Sequence, residues 1–140
     1  MRAALLLLPL LLASPPAAAQ LRPFHCVGAE RLEGDTAVVS FARGADRIMP
    51  DAIASLTPLA EAARAAPERN ICVLGYAADP EGGALTASRL AARRARAVAL
   101  ELSKLGMERD RIRAEAHTRG FASGGVDRQA GARIILLPGE

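Results

Sequence analysis

The sequence predicts an α+β fold: a two-layer α/β sandwich in the order β-α-β-α-β-β, with helices packed on one face of a mixed sheet. Three observations lead there. "NICVLGY" and "ARIILLP" are continuous apolar runs of strand length. Two other segments repeat their apolar residues at three- and four-residue steps, as amphipathic helices do. "RIRAEAH" alternates in the manner of a strand.

The chain of 140 residues begins "MRAALLLLPLLLASPPAAAQ". Arg2, the apolar run from Ala3 to Leu12, a proline break and a small-residue tail read as a signal peptide over residues 1–19, cleaved before Gln20. That run is short for a membrane span, and nothing later is long enough to be one. A retained anchor is the alternative. The remaining chain suffices for one domain with a core. Residues 20–34 are expected to form a lead-in and residues 35–138 the folded domain.

Within that domain, "DTAVVSFARG" carries a β-branched run from Thr36 to Phe41, which suits a buried strand. "MPDAIASLTPLAEAARAAPERN" follows, with Ile53, Leu56, Leu59, Ala60 and Ala63 on one helical face. Pro50 suits its start and Pro67 its stop. Pro58 falls inside and is expected to kink it or split it after one turn. Gly75 closes the "NICVLGY" strand, a glycine-rich loop runs from Tyr76 to Ala84, and a second helix spans roughly Thr86 to Leu105. Gly106 stands where a left-handed residue commonly closes a helix.

The formal net charge of +3 falls to +2 once Arg2 is lost. So small an excess, with Phe24, Phe41, Tyr76 and Phe121 as the only aromatics, argues against nucleic acid as a partner. Export argues the same way. In an oxidising compartment Cys26 and Cys72 read first as a disulfide. Buried thiols remain open, as does a metal site with His25 and His117, although no usual zinc spacing is present. "RPFH" before Cys26 is unlike the box that precedes a lipid-bearing cysteine. Nothing points to a cofactor.

The second helix sorts its arginines. Ala91, Ala95, Val98, Leu102 and Leu105 make one apolar stripe, and Arg89, Arg93 and Arg96 fall on or near the opposite side as solvated charges. Arg94 projects within roughly 60° of the stripe's centre. Its stem is expected along the core edge, with the guanidinium emerging near the helix start beside the Tyr76–Ala84 loop. Asp79 is the nearest acceptor in sequence. Either the two make an ion pair that pins the loop, or they act together on a ligand, aided by the positive potential of the helix start.

These residues resemble the OmpA-like C-terminal domain family, whose members carry a glycine-aromatic-Thr-Asp-x-x-Gly loop and a Leu-Ser-x-x-Arg-Ala-x-x-Val helix. Here Gly75-Tyr76 opens the loop, Asp79-Pro80-Glu81-Gly82 keeps the Asp-x-x-Gly spacing, and Leu90, Arg94, Ala95 and Val98 match the helix. "LSKLGMERDRI" resembles the family's link into the third strand. The resemblance covers about residues 36–137. It implies a non-catalytic periplasmic domain, cell-wall or outer-membrane associated, that binds the diaminopimelate-bearing peptide stem of peptidoglycan.

On that resemblance the ligand-binding residues are Asp79, Arg94, Tyr76 and Gly82, with Asp79 accepting from the ligand's ammonium and Arg94 meeting a carboxylate through its planar fork. The pattern also departs from the family. Asp79 lies four positions after Gly75, with Ala78 in the usual aspartate slot. Ala87 and Ala91 replace an asparagine and a serine, "AHTR" replaces Gly-x-Gly-Glu, and Gly131-Ala132-Arg133-Ile134 replaces Asn-Arg-Arg-Val. Those departures motivate the alternative of an envelope protein-interaction module that has lost peptidoglycan binding. An enzyme is disfavoured, since no serine sits in a nucleophile elbow and no carboxylate pair suggests acid–base work.

Overall fold

The computed structural model describes residues 22–77, 84–117 and 131–139. Its elements are β1 (Thr36–Ser40), α1 (Pro50–Ala54), α2 (Thr57–Ala65), β2 (Ile71–Gly75), α3 (Ala84–Lys104), β3 (Ile112–Ala116) and β4 (Gly131–Leu136). The strands form one mixed sheet in the order β1-β4-β2-β3. β4 runs antiparallel to both β1 and β2, whereas β2 and β3 are parallel and joined through α3.

Burial follows from place in the sheet. β2 is central and buried at every residue, which is why it reads as an unbroken apolar run. β1, expected as a buried strand, lies at an edge, and only Val39 of its five residues is buried. β3 occupies the other edge, and its alternating polar pattern fits a strand covered mainly on one side.

Pro58 splits the first predicted helix. Lacking an N–H, it cannot continue the i→i−4 ladder. The chain tightens at Ser55 and Leu56, whose backbone N–H groups donate to Ala52 and Ile53, and restarts as α2 with the proline in its first turn. Leu56, between the two pieces, is fully buried. The helices pack on one face of the sheet around Val39, Leu59, Ile71, Val73, Val98, Leu102 and Ile134.

The opposite face is also covered. Cys26 and Ala29 pack with Cys72, Leu74 and Ile135, and Phe24, Leu32, Tyr76 and Leu137 rim that second cluster. A disulfide joins Cys26 to Cys72 across a sequence separation of 46. Both sulfurs are therefore consumed, and neither can serve as a thiolate metal ligand. Residues 22–34 thus form a strap laid across the back of the sheet. Arg113 of β3 donates to the Phe24 carbonyl, and Arg133 of β4 to those of Glu30 and Leu32.

At the far end of β2, Arg111 is fully buried and gathers the carbonyls of Ala63, Ala66 and Arg69, closing the C-terminus of α2. Among the described residues no helix is long and apolar enough to cross a membrane.

Candidate functional site

The site is built where β2 ends and α3 begins. Gly75 is the last residue of β2, and a Cβ there would come within 1.9 Å of the Ala91 carbonyl oxygen. Only glycine lets α3 lie this close to the sheet. The ladder continues just beyond, with Tyr76 N–H donating to Gly131 O at 2.7 Å and His117 N–H to Gly75 O at 2.8 Å.

Arg94 follows Ala91 by about one turn and drops into the gap this approach creates. Its Nε donates to Ala45 O at 2.8 Å, Nη1 to Tyr76 O at 2.9 Å and Nη2 to Ala42 O at 3.1 Å. The ring of Phe41 lies 5.3 Å from the guanidinium carbon, within range of a cation–π contact. The side chain is 0% exposed.

This corrects the expectation that the guanidinium emerges at the helix start. Close helix packing at Gly75 and the inward turn of residues 42–45, which pass through Gly44 at φ 71°, enclose it instead. Arg89, Arg93 and Arg96 are exposed, as the helical geometry required.

Tyr76 contributes its two halves to different faces. Its carbonyl accepts from Arg94 on the helix side. Its ring joins the cluster under the strap and lies 5.1 Å from the His117 ring. Burial raises the Tyr76 phenol above its usual range; Arg133 opposes this and Glu30 adds to it. His117 Nε2 is buried without a hydrogen-bond partner among the described residues. Asp79 and Gly82, the other two predicted ligand residues, lie outside the described residues.

Several participants escaped sequence reasoning. The carbonyls of Ala42 and Ala45 were invisible because backbone acceptors carry no residue signature, and Phe41 read only as the end of an apolar strand run. The one available hint was Gly44, a turn signal directly after the β1 run. Arg133, counted only as a motif departure, proves to anchor the strap. Among the described residues no three His, Cys, Asp or Glu side chains group as a metal site.

The arrangement resembles known structures. The OmpA-like domain of FopA1 from Francisella tularensis subsp. tularensis SCHU S4 is 18% identical, with 74% of each chain covered and a TM-score of 0.60. The peptidoglycan-associated lipoprotein from Burkholderia pseudomallei is 23% identical over 72% of this chain and 88% of that one, with a TM-score of 0.59. The C-terminal domain of Helicobacter pylori MotB is 18% identical over 72% and 84%, with a TM-score of 0.59. At these identities the likeness is one of fold. No curated protein matches the chain. The model of the OmpA family matches residues 40–131, most of the chain and all seven main elements in part or whole, and this chain belongs to that family.

Proposed function

We propose that this chain is a non-catalytic domain of the bacterial cell envelope that binds the peptide stem of peptidoglycan, with diaminopimelate as the recognised residue. The observation that carries the reading is the inward turn of Arg94. Alone among the arginines of α3 it is buried, and it sits where β2 hands over to the segment bearing Asp79. A fixed guanidinium there supplies positive potential for a ligand carboxylate, and Asp79 supplies a partner for the ligand's ammonium. The likeness to a peptidoglycan-associated lipoprotein supports the same class of partner. In this reading residues 1–19 direct export and are removed.

Retention on purified sacculi tests the proposal, with free diaminopimelate as competitor. Wild type is expected to be retained and displaced by the competitor, and Asp79→Asn to be lost. Poor retention of wild type, or equal retention of a folded Asp79→Asn variant, would sink it.

A second reading is favoured by the same arginine. A guanidinium that is 0% exposed and already donates to three carbonyls is equipped to be a structural tie. The domain would then serve as a protein-interaction module of the envelope. That reading predicts co-purifying envelope proteins whose association survives Asp79→Ala; loss of every partner on that change counts against it.

A further inference from the structure

We propose that the outward ridge of α3 is a docking surface for an anionic lipid membrane. At 100° per residue, Leu85, Arg89, Arg93, Arg96 and Leu100 fall within an arc of about 80° on the side away from the core. All five are exposed, Leu85 by 67% and Leu100 by 50%. Lys104 extends the ridge at its C-terminal end. Beside it, Arg47 lines an open groove with Ala97, Leu100, Asp46 and Glu101, so both signs of charge meet there.

Positive charge is in excess on this face. Asp46 pairs with Arg93 and Glu101 with Lys104, whereas Arg47, Arg89 and Arg96 have no ion-pair partner among the described residues. Three arginines therefore keep their charge facing outward, with a large aliphatic side chain at either end of the row. A soluble polyanion would need only the cations. Leucines exposed at both ends suit a surface that has hydrocarbon beneath its phosphates, where apolar burial adds to electrostatic attraction. The ridge faces away from Arg94, so this proposal is independent of the peptidoglycan reading.

Flotation with lipid vesicles tests it, using vesicles of phosphatidylglycerol mixed with phosphatidylcholine against vesicles of phosphatidylcholine alone. The protein is expected to float with the first and not the second, and to be released as salt shortens the range of the attraction. Each exposed arginine is worth about fivefold in partitioning, so Arg89→Gln with Arg96→Gln should weaken it about 25-fold. Leu85→Ser with Leu100→Ser should weaken it too, without changing the salt dependence. All four side chains point to solvent, so the variants keep the fold, and retention on sacculi should not change. Failure to float with the anionic vesicles, or flotation indifferent to the arginine pair, overturns the proposal. Unchanged flotation of the leucine variant together with displacement by soluble polyphosphate also overturns it, by making the ridge a generic polyanion site.

Discussion

Gly75→Ala is the sharpest test of how the site is assembled. The new Cβ would stand 1.9 Å from the Ala91 oxygen, 2.8 Å from its carbonyl carbon and 3.0 Å from the Ala95 nitrogen. Ordinary contact begins at 3.4 Å, so α3 must retreat from β2 by more than an ångström. None of the three obstructing atoms belongs to a side chain that could rotate away. Overpacking of this kind costs about 3 kcal/mol, the upper part of the usual range, because a backbone segment must move as a unit. For a domain of this size that corresponds to a fall in Tm of roughly 10–15 °C. The retreat also carries Arg94 away from the carbonyls of Tyr76, Ala42 and Ala45, so sacculi binding should fall beyond what the loss of folded protein explains. Gly106→Ala is the control. It meets nothing within 4 Å but has φ 94°, and so should cost only about 1 kcal/mol through backbone strain. Thermal and urea unfolding followed by circular dichroism measure both. A Gly75→Ala variant no less stable than Gly106→Ala would refute the claim that helix and strand meet backbone to backbone.

Replacing Cys26 and Cys72 together by serine removes a cross-link over 46 residues, which the chain-entropy relation values at about 4 kcal/mol. Urea unfolding should show that loss, and hydrogen exchange should rise first in residues 22–34. Tyr76→Phe should change the alkaline limb of the stability curve. The phenol's folded pKa lies above its usual 10.0, so its contribution is present below pH 10 and is lost as pH rises through the folded value. The phenylalanine variant should lose less stability over that window, measured by unfolding at stepped pH.

The fold was legible where one physical cause dominates. β2 and β4 read as strands because both of their faces are covered, and α3 read as a helix because its stripe of Ala91, Ala95, Val98 and Leu102 faces one core. Pro58 announced the break between α1 and α2 through its missing donor. The strap was not legible. Its residues carry no strand or helix period, and their position on the sheet depends on a long-range pairing that local pattern does not encode. The site was half legible: helical geometry singled out Arg94 among four arginines, but the depth of its burial depends on Gly75 and on carbonyls contributed by a distant loop.

The two roles open to Arg94 can be separated by comparing it with Arg111. Both side chains are fully buried, and each guanidinium collects three backbone carbonyls: Arg111 those of one stretch at the end of α2, Arg94 those of the 42–45 turn and of Tyr76. A planar fork can serve three acceptors in fixed directions, whereas a lysine ammonium on its flexible stem cannot reproduce that geometry. Replacing either arginine by lysine should leave about two carbonyls unsatisfied, at a cost of about 2–4 kcal/mol. Arg111, however, lies at the opposite end of β2 from the candidate site. If Arg94 serves a ligand as well as the fold, Arg94→Lys must lose sacculi binding per folded molecule while Arg111→Lys keeps it at a matched loss of stability. Equal retention by the two variants would leave Arg94 as a tie between loops and favour the protein-interaction reading.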